Sequence, residues 1–448
     1  MASPNIPPPI HIDGRTLEGG GQLLRLALSL SCLTSLPIHI TSIRGSRGKG
    51  GGLKGSHLAA VDFLARACGA RTEGMELKSK DLLFDPCHGG NEKGVGGEGK
   101  WWQEQKDKDG NVVGRKIGIK MATPGSVFLV FQALLPFLLF SSINPGINLN
   151  NNNSDDDSEA LNDKTKPQDQ TDPLPITLTI HGGTHVFNSP SSEYTQQVLL
   201  PTLLRIGIPP IAITLHKRGW TCGRPQIGCV TFTLKPFAPG SFLPAFSLGQ
   251  KDRDRGEVIA IHISILAPST AVRGQVRTAV MTSIVAKWGS DVGITFPVDE
   301  DSGHAKRLYL LLVAETSKGF RYGRDWLYDR KIGEVGDAVG GLVERVVGDL
   351  EGEVRGGRGV DGFMEDQLVV FQALARGRSA VGDGGGDGER ETAAPEPTLH
   401  TKTARWVAEK VLDMRFDSDG GCEGVGFTVA ERYREREALV AGIARLKI

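Results

Sequence analysis

Residues 12 to 58 repeat one local pattern twice, and this stretch constrains the fold more than any other part of the sequence. In the first copy a short apolar run ends at Asp13, three glycines follow at 19 to 21, and leucines recur with helical spacing from Gln22 to Leu33. In the second copy the run Ile38 to Ile43 precedes a loop with five glycines and a helix predicted from Leu53 to about Cys68. Each copy therefore predicts a strand, a glycine turn and a helix N-terminus, a geometry that suits an anion.

The glycine turns also carry basic side chains. Residues 1 to 60 hold six Lys or Arg residues and two acidic ones, whereas the whole chain of 448 residues holds 52 of each sign. A polyanion site would therefore be local, and a phosphate-rich ligand is its natural partner. A solvated basic loop is the alternative on charge alone. The glycines favour a ligand, because they let another group approach the backbone closely.

The rest of the chain alternates strands and helices, which predicts packed α/β layers. A cluster of Pro and Gly at 236 to 240 marks a domain boundary. We therefore divide the chain into a large domain that begins with residues 1–240, a small inserted αβ domain at 241–333, and a return to the large domain at 334–448.

Three segments lack the periodicity of regular structure. Residues 148–172 are rich in Asn, Asp and Ser, and residues 377–397 are rich in Gly, Asp, Glu and Pro. Both compositions predict disordered insertions, because they offer little apolar surface to bury. Residues 90–114 are predicted to form a surface loop.

Cysteine usage and hydropathy bound the compartment. The six cysteines show no paired metal-ligand spacing and no disulfide framework, which favours free thiols in a reducing compartment. The longest apolar run, Val127 to Phe140, contains Gln132 and Pro136 and falls short of the roughly 20 residues that a bilayer span needs. It predicts a buried helix. The first residues lack the pattern of a signal peptide.

His400 is the strongest nucleophile candidate. It stands in Thr-Leu-His-Thr-Lys-Thr, just before a predicted amphipathic helix with Ala404, Val407 and Val411 on one side. A neutral imidazole can attack phosphorus, and the positive helix end helps to keep it neutral and gathers phosphate oxygens. From spacing alone, a structural histidine is the alternative.

The run Glu18 to Arg25, followed by Ile43 to Arg47, resembles the N-terminal signature of the RNA 3'-terminal phosphate cyclases. The similarity continues at Gly125-Ser126, Gly182-Gly183-Thr184, Asp366-Gln367-Leu368 and Leu399-His400-Thr401, so it covers most of the chain in order. The resemblance implies an α/β fold in which a large domain of repeated βαβαββ-like units carries a smaller inserted αβ domain.

The resemblance also implies a chemistry. His400 would attack the α-phosphate of ATP and form a histidine–AMP adduct, AMP would pass to an RNA 3'-terminal phosphate, and the 2'-hydroxyl would displace AMP to leave a 2',3'-cyclic phosphate. The other implied roles are phosphate binding by Arg25, Arg44 and Arg47, binding of Mg²⁺ or Mn²⁺ by Glu18, and adenosine binding by Gln132, Pro190, Phe363, Asp366 and Gln367. Pro190 and Phe363 would sandwich the purine. Alternatives remain for Glu18 as a carboxylate at a helix N-terminus, and for Gln132 and Phe363 as ordinary helix residues.

The chain departs from the family pattern at Ser56, at His185–Phe187, at Arg224–Gly228 and at Phe363. A related branch of non-catalytic, cyclase-like proteins that serve ribosome assembly keeps the glycine signature but lacks the histidine. His400 therefore favours the enzyme over that alternative. The partners implied are ATP and RNA with a 3'-terminal phosphate, with no membrane and no obligate protein partner, in an intracellular and specifically nuclear setting.

Overall fold

The computed structural model describes residues 7–86, 101–141, 172–249, 255–381 and 396–429. Most of the two predicted insertions, 148–171 and 382–395, and the first part of the predicted surface loop lie outside these ranges. The helices are α1 (Gly21–Thr34), α2 (Gly55–Cys68), α3 (Val127–Phe140), α4 (Ser192–Tyr194), α5 (Leu200–Arg205), α6 (Thr270–Trp288), α7 (Val335–Gly356), α8 (Glu365–Leu374) and α9 (Leu399–Leu412). A 3₁₀ helix spans Gly45–Gly50, and a π-helical turn, Thr195–Leu199, joins α4 to α5.

Four sheets hold the strands of the described residues. Their strands are β1 (Ile10–Asp13), β2 (Ile38–Thr41), β3 (Arg71–Glu73), β4 (Leu82–Asp85), β5 (Gln103–Lys106), β6 (Val112–Lys120), β7 (Ile176–Gly182), β8 (Ile211–Lys217), β9 (Gly228–Leu234), β10 (Ser247–Leu248), β11 (Val258–Ala267), β12 (Gly293–Asp301), β13 (Tyr309–Thr316), β14 (Arg321–Leu327), β15 (Arg376–Val381) and β16 (Gly421–Val425). The strand orders are β1-β2-β4-β3, β5-β6-β7-β9-β8, β12-β11-β13-β14 and β10-β15-β16. Mixed layers of helix and sheet confirm the predicted α/β class.

The duplicated glycine pattern folds as predicted: β1 and β2 pair in parallel, and α1 and α2 follow their turns. The glycines serve the protein's own side chains. A Cβ at Gly19, whose φ is +59°, would overlap Ser46, one at Gly20 would overlap the Glu18 carboxylate, and one at Gly21 would lie 2.5 Å from His57 Nε2. The first turn is therefore packed against the second, and the glycines permit that contact.

The helix α3 confirms the predicted buried helix. Ser126 caps it by accepting a hydrogen bond from the Leu129 N–H at 3.2 Å. Twelve of its fourteen residues are buried, which accounts for a sequence that is apolar on all sides rather than along one stripe. Within the described ranges, no helix combines the length and the apolar character that crossing a bilayer requires.

Two sequence predictions are wrong in part. Residues 103–106 and 112–114, predicted as loop, belong to the hairpin β5-β6, and residues 377–381, predicted as disordered, belong to β15. In both cases the strands are stabilised by pairing with other segments, because β6 also pairs with β7 and β15 pairs with β10 and β16. Local composition does not contain that information.

The sheet β12-β11-β13-β14 lies within residues 241–333, and α6 packs on it. The helix α7 contacts α6, β13 and β14 and returns the chain towards α8. The domain boundaries drawn from the sequence stay a prediction, but this sheet supplies residues that approach the candidate site from one side.

Candidate active site

A small cavity lies between α1, α3, α5 and α8. Its polar wall contains Gln22, Arg25, Gln132, Asp366 and Gln367, and apart from Ser29 the remaining lining is apolar, with side chains such as Phe131, Leu203 and Phe371. Four predicted site residues, one phosphate ligand and three adenosine ligands, thus meet in one place. The cavity volume is about 60 Å³, well below the roughly 300–1,000 Å³ of pockets that enclose whole small-molecule ligands. It can admit only part of a nucleotide.

A chain of side-chain amides crosses the polar wall. The Gln132 Nε2 donates to Gln367 Oε1, and the Gln367 Nε2 donates to Asp366 Oδ2 at 2.9 Å. The Gln22 Nε2 donates to the same carboxylate oxygen. Because a carboxylate oxygen accepts these bonds, the amide of Gln22 must turn its own oxygen away from Asp366.

His400 donates a hydrogen bond to that oxygen. It lies in the first turn of α9, whose N-cap Thr398 accepts from the Thr401 N–H at 3.1 Å, and the His400 Nδ1 is 2.8 Å from Gln22 Oε1. Since an amide oxygen only accepts, Nδ1 carries the proton in this contact. In the neutral ring the lone pair then belongs to Nε2, the tautomer that a nucleophile requires.

Gln22 is a site residue that sequence reasoning missed. It is part of the glycine signature, but it is only 8% exposed on a helix with leucines at the next two positions. A buried polar residue in the first turn of an apolar helix is the signal that was available. The structure shows it as the link between Asp366 on α8 and His400 on α9.

Burial sets the electrostatics of this wall. Desolvation raises the pKa of Asp366 to about 7, although the bonds from Gln367 and Gln22 and the charge of Arg25 oppose the rise. Desolvation also lowers the pKa of Arg25 to about 10, against the attraction of Asp366 and Glu18. Arg25 therefore keeps its charge at neutral pH, and Asp366 changes its charge near neutrality.

This shift predicts a pH dependence of stability. Between about pH 4 and pH 7 the folded Asp366 retains a proton that the unfolded carboxyl has lost, so the free energy of unfolding falls as pH rises through this window. In Asp366→Asn the side chain does not titrate, so this decrease in the free energy of unfolding is absent. In urea unfolding, the free energy of unfolding of the variant relative to the wild type should rise between pH 5 and pH 8 by at most about 3 kcal/mol, because about two pKa units separate pH 5 from the folded pKa of about 7 and each is worth about 1.4 kcal/mol. An identical pH dependence in both proteins would contradict the shift.

The predicted phosphate ligands lie around the two glycine turns. Arg44 is buried, with a φ of +54°, and its Nη1 donates to the carbonyl oxygens of Gly50 and Gly52, so it also fixes the shape of its loop. Arg47 belongs to the 3₁₀ helix, and its side chain lies outside the described part of the structure. Arg25 lies beside His57, whose Nδ1 accepts from the Lys54 N–H at 3.2 Å.

His57 is neutral at physiological pH. Burial and the charges of Arg25, Arg44 and Lys54 lower its pKa to about 3. Because Nδ1 accepts a bond, the proton of the neutral ring is on Nε2, which lies beside Gly21 at the start of α1. The neutral ring thus adds an N–H donor but no further positive charge to a region that is already positive.

Glu18 is the one predicted metal ligand. Its carboxylate lies against Gly20, its charge acts on Arg25, and its backbone N–H donates to Thr403 Oγ1 of α9 at 3.1 Å. Among the described residues no group of three His, Cys, Asp or Glu side chains could hold a metal. This donor set fits Mg²⁺ only in the form it commonly takes beside phosphates, with one protein carboxylate and the remaining positions filled by phosphate and water.

Phe363 and Pro190 stand apart from the cavity wall. Phe363 precedes α8 and is 44% exposed, so the reading of it as a helix residue is wrong. The guanidinium carbon of Arg324, on β14, lies 4.0 Å from the centre of its ring, and the ring of Tyr194 meets its edge. Pro190 comes directly before Ser191, the N-cap of α4. Pro190 therefore directly precedes the cap of the helix that carries Tyr194.

The departures at His185–Phe187 and Arg224–Gly228 come together in space. The buried His185 ring stacks on Trp220 at 4.4 Å, and the Arg307 Nη2 donates to the carbonyl of Arg224 at 2.7 Å. The His185 Nε2 lies 2.9 Å from Glu193 Oε2, and the Arg218 Nη1 donates to Glu193 Oε1 at 2.5 Å. The two departures thus belong to one packed arrangement beside the helix that follows Pro190.

Known proteins resemble this chain over almost its whole length. The sequence model of a family described as RNA 3'-terminal phosphate cyclase matches residues 16–155 and 169–418. A protein of that name from Methanosarcina mazei is 26% identical over 91% of this chain and 96% of its own length. Those from Methanopyrus kandleri and Korarchaeum cryptofilum are each 28% identical, over 94% and 92% of this chain and 98% and 94% of their own lengths. Every site residue described above falls within the matched residues.

Proposed function

We propose that this chain, which belongs to the RNA 3'-terminal phosphate cyclase family, uses ATP. The reaction converts an RNA 3'-terminal phosphate into a 2',3'-cyclic phosphate. The observation that carries the proposal is the 2.8 Å contact between His400 Nδ1 and Gln22 Oε1 at the N-terminus of α9. It puts the lone pair of the neutral ring on Nε2. A histidine held in this tautomer at the positive end of a helix is suited to attack a phosphorus atom.

In the first step, the His400 Nε2 attacks the α-phosphorus of ATP. The N–P bond forms, the bond from the α-phosphorus to the bridging oxygen breaks, and pyrophosphate leaves. The proton on Nδ1 stays on the ring. It donates a hydrogen bond to Gln22 Oε1, which stabilises the positive charge that develops on the ring. The α9 N-terminus offers partial positive charge to the phosphate oxygens.

In the second step, an oxygen of the RNA 3'-phosphate attacks the α-phosphorus of the adduct, and the N–P bond breaks. In the third, the 2'-hydroxyl oxygen attacks the 3'-phosphorus, its proton passes to solvent, and AMP leaves. Each displacement at phosphorus needs charge neutralisation more than proton transfer. Arg25 suits this role, since it remains protonated at neutral pH and can bind two phosphate oxygens at once.

Glu18 is the residue that would hold Mg²⁺ or Mn²⁺, and the ion would neutralise phosphate charge when bound. For the adenosine, Asp366, Gln367 and Gln132 offer donors and acceptors at the cavity, and the exposed ring of Phe363 offers a flat face. Because the cavity is small, most of the nucleoside would lie at its mouth.

The test is a pair of labelled nucleotides. The purified protein is incubated with Mg²⁺ and ATP carrying label in either the α- or the γ-phosphate, and bound label is measured after denaturation. Label from the α-phosphate alone, and conversion of a 3'-phosphorylated oligoribonucleotide to its cyclic form, are the expected results. Protein that takes up no label would overturn the proposal in favour of the non-catalytic, cyclase-like alternative.

Gln22→Leu should slow adduct formation about 100-fold, the order of loss that follows from misplacing a reacting group by about 1 Å. The leucine fills similar volume but accepts no bond from His400 Nδ1, so the ring loses its fixed tautomer. Single-turnover rates with α-labelled ATP measure the effect. Gln275→Leu, at an exposed position of α6, is the matched control and should react at the wild-type rate. Equal rates for Gln22→Leu and wild type would remove Gln22 from the site.

A further inference from the structure

The outward face of the sheet β5-β6-β7-β9-β8 has no role in the chemistry described so far. We propose that it binds the single-stranded RNA that precedes the 3'-terminal phosphate. This inference rests on the proposed function, because it deepens the assignment of the RNA substrate.

The composition of the face supports the proposal. The outward positions of β6, β7, β8 and β9 carry Lys116, Lys120, His181, His216 and Lys217, several threonines and no acidic residue, although the whole chain has equal numbers of the two charges. These side chains are exposed or half-buried. Lysines and hydroxyl groups are the residues that contact nucleic-acid phosphates without reading the bases.

The basic residues concentrate at one end of the strands. In the register of the sheet Lys120 lies opposite His181, His181 opposite Cys229, and Cys229 opposite Lys217. This row crosses four strands at the end where β6, β7 and β8 finish and the chain turns towards the helices. At about 4.8 Å per strand the row spans about 15 Å, room for about four phosphates at the roughly 3.4 Å spacing of one strand of a stacked nucleic acid.

The row is continuous with the candidate active site. The segment directly after Lys120 packs on the start of α2, since a Cβ at Gly55 would lie 3.6 Å from Thr123 Oγ1 and one at Gly125 would lie 3.1 Å from Ser56 Cβ. The same start of α2 carries Lys54 and His57, and His57 lies beside Arg25 and Gly21. An RNA whose terminal phosphate is held at Arg25 therefore has a basic path leading away from it.

The face also indicates how the RNA is read. Its outward positions carry no Phe, Tyr or Trp, and the rings there are limited to the imidazoles of His181 and His216, so contacts to phosphate should dominate over base stacking. Contacts through phosphate alone make binding independent of sequence and sensitive to salt. We expect affinity to grow with the length of the RNA rather than with its base composition.

The experiment compares a two-nucleotide and a ten-nucleotide RNA, both with a 5' fluorophore and a 3'-phosphate, over a series of salt concentrations without ATP. The wild type should bind the longer RNA more tightly and with a steeper salt dependence. In a variant with both Lys120→Ala and Lys217→Ala, the slope for the longer RNA should fall by about 1.4, at about 0.7 per phosphate contact. Binding of the two-nucleotide RNA should not change. The control variant combines Lys306→Ala and Lys331→Ala, exposed lysines outside this sheet, and should behave as wild type.

A wild type without length dependence, or a double variant that keeps the full slope, would overturn the RNA-binding face. Covalent labelling by α-labelled ATP is measured on the same proteins and should be unaffected by both lysine variants. A wild type that takes up no label, yet shows the length dependence and loses it in the variant, would refute the proposed chemistry and leave the RNA-binding face in place.

Discussion

Substituting His400 with Asn is expected to abolish the covalent AMP adduct and the ATP-dependent cyclisation of RNA. Asparagine is polar and of similar size, but its amide nitrogen has no available lone pair with which to attack phosphorus. The side chain is exposed at the first turn of α9, so the folded structure should remain. The loss should exceed 1,000-fold, because removal of a nucleophile leaves only binding and charge stabilisation.

The measurement is label retained from α-labelled ATP, together with RNA affinity and the thermal midpoint of unfolding. His39→Asn is the matched control, since His39 is an exposed histidine on β2 that pairs with Asp81. It should label as wild type does. An RNA that already carries adenylate on its 3'-phosphate should still be cyclised by His400→Asn, because that step does not require attack by the histidine. Label retained by His400→Asn would assign the nucleophile to another residue.

Substituting Glu193 with Ala is expected to cause the largest loss of stability, about 3–5 kcal/mol, as when one member of a buried ion pair is removed. The carboxylate is 3% exposed and accepts from Arg218 Nη1 and from Ser192 Oγ at 2.7 Å. Without it, His185, which is fully buried, loses the charged neighbour 2.9 Å from its Nε2. The loss should appear in the urea concentration at the midpoint of unfolding.

Glu300→Ala is the control for this loss, since Glu300 pairs with the same Arg218 but is 54% exposed. Exposed ion pairs contribute about 0–1 kcal/mol. The contacts of Glu193 with His185 and Arg218 hold its pKa well below the usual range, although burial alone would raise it. Its stabilisation is therefore present above the unfolded pKa of about 4.3 and is lost as pH falls below it. Equal losses in both variants at neutral pH would contradict the buried pair.

Much of the fold was predictable where the signal is local. The helices α1, α2 and α3 begin at or within two residues of the glycine or serine turns that precede them. The hairpin β5-β6 and the strand β15 were not predictable, because hydrophilic strands such as Gln103–Lys106 owe their stability to partners elsewhere in the chain. The sequence pattern of an exposed basic loop also did not predict that Arg44 is buried against carbonyl groups of its own loop.

The candidate site was predictable as a set of residues and not as an arrangement. Arg25, Gln132, Asp366 and Gln367 were each assigned by resemblance, and the structure brings them to one cavity. The role of Gln22 required coordinates, because its two partners are 344 and 378 residues away in the chain. The sequence likewise gave no sign that Phe363 would lie under the Arg324 guanidinium of β14.

The distance along the chain between Gln22 and His400 has a consequence for biosynthesis. A ribosome completes α1 early, but His400 lies 378 residues beyond Gln22 in the chain, so the two side chains can meet only when α9 has been made and packs against α1. A nascent chain that has assembled its first sheets thus still lacks the nucleophile that we propose. Under the proposed mechanism, a chain truncated before α9 would therefore form no AMP adduct.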